Sequence, residues 1–156
     1  TMQNPVHIAA FQKLGAAPIP MVWGEVFTSL GQGIIDAQEN PITVIYLNSL
    51  WEVQSHLILT GHVYGPHAVL FSKPIFETLS EDEQKIIREA VAECTTVARE
   101  TSTKLDAEYR GLIAEKGMVV EEVDTTPFRE MTKDIASTVE GIDPAMIEKI
   151  QAAGAD

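Results

Sequence analysis

The 156 residues contain one cysteine, Cys94, so no disulfide can form within the chain, and cysteine usage marks neither an oxidising nor a reducing compartment. In a helical stretch a lone cysteine behaves as a small hydrophobe, and burial is expected for it. Basic residues are scarce: 11 Lys and Arg stand against 23 Asp and Glu, a net charge of −12. Nucleic acid and anionic membrane surfaces both need a basic face, so neither is a partner on this balance. No apolar run approaches the roughly 20 residues of a membrane-spanning helix, and no signal peptide is visible at Thr1. A nucleophile elbow, a phosphate-binding loop and a metal-ligand repeat are also missing. Glu25, Asp36, Glu39 and His62 offer acid and base groups, but no set defines a reaction. The chain is therefore not expected to be an enzyme or to carry a cofactor.

Charge is also missing from one part of the chain. Of the 34 charged side chains only five (Lys13, Glu25, Asp36, Glu39 and Glu52) precede Lys73. So sparsely charged a surface is one that another surface covers, either the rest of a longer protein or a second copy of this chain as a homodimer. A third arrangement is an interaction module that self-associates along the Cys94 stripe of its long helix. The length itself suits one domain, burying roughly 70% of its unfolded surface.

Asn4 and Pro5 read as an N-cap and a first-turn proline, with Ile8, Phe11 and Leu14 at helical spacing before a stop at Gly15. His7 lies on that first turn, where a carboxylate is attracted, although a surface position is the expectation. A strand is predicted over Ala16–Met21, limited by Pro18 and Pro20, then a helix from Glu25 through Leu30, a short buried strand at Ile34–Asp36 and a helix over Ile42–Leu50. A strand from about His56 and a central return strand over His67–Ser72 follow. Ser80 with Glu83 forms a capping box. Running unbroken to Gly117, the helix it opens spans about 54 Å at 1.5 Å per residue, the alternative being a kink near Thr95, Thr96 or Thr101–Thr103. Met118–Val123 reads as a strand, Pro127–Val139 as a helix and Pro144–Ala153 as a small helix ending at Gly154.

Gly15 to Pro41 has the chemistry of a binding site: an aromatic (Trp23), three glycines (Gly24, Gly31, Gly33) and an acidic, amide-bearing run from Asp36 to Asn40. The Asn40 amide can donate to a carboxylate while its carbonyl accepts, or the side chain can cap the helix behind Pro41. His56, His62 and Glu52 match no compact metal-site spacing.

Four blocks, LGAAPIPM, WGEVFTSL, GIIDAQENP and LTGHVY, stand in an order and at separations that resemble the solute-binding proteins of TRAP transporters, the dicarboxylate (DctP) type, from Thr1 to about Ile135. The resemblance implies an α/β fold, the C-terminal part of a two-lobe, type II periplasmic-binding-protein-like architecture with one long helix crossing both lobes. It divides the chain into a ligand-binding lobe segment (1–79), the long helix (80–117) and C-terminal strand and helices (118–156). It further implies that a whole N-terminal half precedes this sequence, and that a carboxylate-binding Arg lies just before TMQNPVH.

By the same resemblance Trp23 packs against bound solute and Asn40 anchors its carboxylate. Gln3, Glu39 and Tyr64 read the rest of the molecule, and His62 is a structural signature of its strand. In some relatives a Trp–Glu pair coordinates a cation, which Trp51 and Glu52 would match. The partners implied are a small organic acid and the TRAP membrane permease, at a periplasmic location. One departure is SLGQG, where Gly31 replaces the family's Gln; a glycine there loosens the last helical turn.

Overall fold

The computed structural model describes residues 1–153. Its centre is a parallel pair of strands, β1 (His56–Leu59) and β2 (Val119–Glu122), in register from His56 opposite Val119 to Leu59 opposite Glu122. Parallel neighbours need a long crossover, and most of it is one helix, α5 (Glu81–Glu115). Ahead of β1 come α1 (Pro5–Lys13), α2 (Trp23–Gly31), α3 (Ile42–Leu47) and a 3₁₀ turn at Leu50–Glu52. A short helix, α4 (Lys73–Phe76), precedes α5, and α6 (Thr126–Thr132), α7 (Ile135–Thr138) and α8 (Pro144–Ala153) follow β2. The expected end of α8 at Gly154 lies outside the described residues.

One hydrophobic cluster holds these elements together: Val26 and Leu30 from α2, Ile45 from α3, Leu50, Leu57 from β1, and Ile113 and Met118 around the end of α5. Ile113 is wholly shielded from solvent. Truncating such a side chain to alanine typically costs about 2–5 kcal/mol. Tyr46 of α3 stacks on Tyr109 of α5 with ring centroids 4.4 Å apart, and Arg110 pairs with Glu122, so the C-terminal third of α5 is tied to both α3 and the sheet.

The local signals for helix ends are realised. Asn4 Oδ1 accepts from Val6 N at 2.8 Å, and Ser80 with Glu83 makes both bonds of the capping box. Gly15 and Gly117, just beyond α1 and α5, have φ of +86° and +98°, a left-handed backbone that side-chain-bearing residues rarely adopt. Helix α5 is unbroken for 35 residues, about 52 Å. Its threonines do not break it: Thr95, Thr96 and Thr103 turn their hydroxyls back onto the carbonyls of Val91, Ala92 and Arg99, and the helix runs on past them.

Several expected elements are absent or shifted. Ala16–Met21 forms no ladder, and Ile34–Asp36 is a bend with Ile34 62% exposed rather than a buried strand. His67–Ser72, expected as a central strand, has no strand partner, and Leu70 is 87% exposed. An apolar run becomes a strand only where another strand meets it, and among the described residues β1 and β2 pair only with each other. The helix after Pro41 stops at Leu47 because Ser49 takes a left-handed conformation, φ 54°, which starts the 3₁₀ turn. The helix expected over Pro127–Val139 is two pieces, and no Pro or Gly marks the break. Cys94 is exposed rather than buried, because among the described residues nothing packs against the middle of α5.

Candidate functional site

The candidate site is a cavity of about 600 Å³ between the start of the chain, the extended segment Ala16–Met21, the first turn of α2 and the segment from Ile34 to Asn40. Its walls are largely apolar, with Phe11, Ile19, Met21, Trp23, Val26 and Ile35 among them. The polar groups gather on one side, at Asp36, Gln38, Glu39 and Asn40. An apolar chamber with a few placed hydrogen-bonding groups is the usual form of a small-molecule site.

Trp23 is held by its place as the first residue of α2, where Val22 makes no side-chain cap, and its ring remains 45% exposed on the cavity wall. Glu25, in the same first turn, places its carboxylate at the favourable end of the helix dipole. The bend that puts Gln38 to Asn40 opposite Trp23 depends on Gly33, φ +66°, which closes α2 and turns the chain back.

Segment 38–40 is neither helix nor strand, and its side chains divide between two sets of partners. Glu39 points towards α1 and the end of β1. One of its oxygens accepts from Thr1 Oγ1 at 3.1 Å and lies 3.5 Å from His7 Nδ1, while the other lies 3.4 Å from His62 Nε2. His7 is thus half-buried against a carboxylate rather than a surface residue, within ion-pair reach although outside hydrogen-bond geometry. Thr60 Oγ1 holds the other nitrogen of His62 at 2.6 Å, and Phe11 meets that imidazole edge to face. Asn40 turns the other way: Nδ2 donates to Gln38 Oε1 at 2.7 Å, and Gln38 Nε2 donates to Gln54 Oε1 at 3.1 Å. Asn40 does not cap α3, whose N-cap is Pro41 without a side-chain bond.

Of the residues singled out in the sequence, Trp23, Glu39 and Asn40 share the cavity. Gln3 is exposed and not part of its wall, although Thr1 and Met2 are. Tyr64 is 90% exposed and also stands apart. Trp51 is covered by Lys116, whose ammonium sits 4.8 Å from the ring centroid, so a cation already occupies that ring face; Glu52 is exposed. Among the described residues no three His, Cys, Asp or Glu side chains are grouped to hold a metal. Sequence reasoning overlooked Gln38, Gln54 and the pairing of His7 with Glu39. The two-residue spacing of Gln38 and Asn40 could have flagged Gln38, but contacts to residues 7 and 54 carry no local signal.

Residues 1–140 match the family described as bacterial extracellular solute-binding protein, family 7, DctP. The chain belongs to this family. A protein of Verminephrobacter eiseniae named solute-binding protein is 40% identical over 129 residues, covering 82% of this chain and 38% of the relative. The solved TRAP periplasmic solute-binding protein from a Polaromonas species, bound to D-erythronate, superposes on the whole chain with a TM-score of 0.86 and 37% identity, over 52% of its own length. That of a Bordetella species, with density assigned to pantoate, gives a TM-score of 0.85 at 36% identity over 99% of this chain and 52% of its own. The DctP chain here therefore spans about half the length of its solved relatives.

Proposed function

We propose that this chain supplies ligand-recognition surface to the solute-binding component of a TRAP-type transporter, which captures an organic acid in the periplasm and delivers it to a membrane permease. The observation that carries this reading is that Trp23 and Asn40, on different elements, face one apolar-walled cavity. Trp23 offers a flat apolar contact and Asn40 a donor for a carboxylate oxygen. The acids found with the Polaromonas and Bordetella relatives fit that pairing of chemistry. The protein is a binder and not an enzyme on this reading, since nothing at the cavity combines a nucleophile with a base and an oxyanion donor.

Only Asp36 and Glu39 are charged among the side chains lining the cavity, so an anion needs a cation from outside it. That supports a two-lobe arrangement in which segment 1–79 belongs to the ligand-binding lobe, the helix of 80–117 spans lobes and the C-terminal strand and helices follow it. The apolar surface at Val63, Val69, Leu70 and Phe71 is then the surface that the rest of the protein covers. Roles for Gln3 and Tyr64 require closure of that second lobe onto them. The test is calorimetric titration of sugar acids, keto acids, pantoate and C4-dicarboxylates into the natural polypeptide that carries this sequence, at its full encoded length. Binding of at least one acid, weakened at least tenfold by Asn40→Ala and by Trp23→Ala, supports the reading. No binding across the panel, or binding untouched by both substitutions, overturns it.

A second reading is self-association through α5, favoured by Ile86 and Val97, which are exposed on that helix. A dimeric solution mass for the full-length polypeptide, lost on Ile86→Asp with Val97→Asp, would support that reading; a monomer removes it.

A further inference from the structure

We propose that Gln38 and Gln54 are positioning residues that orient the amide of Asn40 to read a 2-hydroxy carboxylate, an inference that rests on the acid-binding function above. A primary amide is planar, so once one Nδ2 hydrogen is committed to an acceptor, the other hydrogen and Oδ1 have set directions. Asn40 Nδ2 is committed in this way to Gln38 Oε1 at 2.7 Å. Gln38 alone does not determine which of its two terminal atoms faces Asn40, since the amide flips without changing shape. Gln54 does: while it offers Oε1 to Gln38 Nε2, at 3.1 Å, the oxygen of Gln38 must turn towards Asn40.

The relay therefore has a polarity while Gln54 presents its oxygen, and the backbone that carries Gln54 is anchored at the sheet. Gln54 directly precedes Ser55, whose carbonyl accepts from Val119 N at 2.8 Å where β1 and β2 begin to pair. All three amides are partly shielded from water, which favours bonding to one another over solvent competition. Only Gln38 and Asn40 belong to the cavity wall; Gln54 lies behind it, so a change at Gln54 reaches a ligand only through the relay.

With this polarity Asn40 keeps one N–H and one carbonyl oxygen free for a ligand. The two atoms belong to one amide and lie close together, so they meet groups on adjacent carbons. A donor beside an acceptor complements a carboxylate oxygen, which only accepts, beside a hydroxyl, which can donate. Reversing the relay would engage Oδ1 with a donor from Gln38 and turn both N–H groups free, so a ligand hydroxyl would meet an oxygen that already accepts one bond and has less acceptor capacity left.

The experiment measures Kd for D-erythronate and for its 2-deoxy analogue, 3,4-dihydroxybutanoate, and for lactate against propanoate, on the natural full-length polypeptide. Preference for the 2-hydroxy member is expected in the wild type. Gln54→Met, which is similar in size and offers no oxygen acceptor, is expected to cut that preference about tenfold while leaving affinity for the deoxy acids nearly unchanged. Gln54→Glu retains only the acceptor and is expected to keep the preference, which also controls for folding. A general packing defect would weaken both members of a pair equally, and that result would overturn the proposal. So would a wild type that binds acids with no preference for the 2-hydroxyl, or an undiminished preference in Gln54→Met. A polypeptide that binds no carboxylate in the wider panel overturns the function itself, a result distinct from any of these.

Discussion

Glu39 of the cavity wall meets His62 beside it, Oε2 to Nε2 at 3.4 Å, and the pair links the segment before α3 to the chain leaving β1. The same carboxylate lies 3.5 Å from His7 of α1, so three stretches far apart in sequence converge on one side chain that is largely shielded from water. Glu39 is thereby occupied with the protein's own groups.

Glu39→Ala should destabilise the fold by about 1–3 kcal/mol, because it leaves the Thr1 hydroxyl and the His62 imidazole without their acceptor and removes the carboxylate beside His7. Glu39→Gln, which retains one oxygen, should cost less. Urea unfolding of the full-length polypeptide measures both, and an Ala variant within 0.5 kcal/mol of wild type would contradict the clamp.

Gly31 is helical and solvent-exposed, and a Cβ there would meet only Val53 Cγ1, at 3.4 Å, an ordinary contact. Gly31→Ala should therefore stabilise the protein by about 0.5–1 kcal/mol through lost unfolded-state freedom. A fall in melting temperature would show that Val53 cannot accommodate the methyl group.

The carboxyl of Glu83 is held below the ordinary glutamate range, first by the Ser80 hydroxyl and then by the Ser80 backbone N–H. A depressed folded-state pKa gives a contribution that is present above the unfolded value and lost as pH falls through the folded one. Fraying at the start of α5 should accordingly increase only on acidification below the usual glutamate range. Carboxyl NMR titration should find Glu83 low in the wild type and shifted upward in Ser80→Ala; equal titration in the two proteins would remove the capping box as the cause.

A chain cut to these 156 residues should bind monocarboxylates no better than millimolar, since the cavity wall carries Asp36 and Glu39 and no Lys, Arg or His side chain. A bidentate guanidinium contributes two charge-assisted hydrogen bonds, so its absence weakens binding by about 100-fold or more. Submillimolar affinity for D-erythronate in this chain, abolished by Asn40→Ala, would sink the prediction.

What the sequence determined by itself is everything governed by near neighbours. The cap at Asn4, the Ser80–Glu83 box, the left-handed stops at Gly15 and Gly117 and the helical character of 81–115 depend on contacts a few residues apart, and their signatures sit within one turn. The four spaced blocks likewise sufficed to identify the DctP family, which matches residues 1–140. Tertiary structure decided the rest. Whether Ala16–Met21, Ile34–Asp36 or His67–Ser72 becomes a strand depends on a partner that apolar content cannot specify, and none pairs with them among the described residues. Tyr64 and Cys94 are exposed because nothing among the described residues packs over them. The site follows the same rule: Trp23 and Asn40 could be named from local chemistry, whereas the Glu39 clamp and the Asn40–Gln38–Gln54 relay exist only because folding brings α1, the segment before α3 and the entry to β1 together.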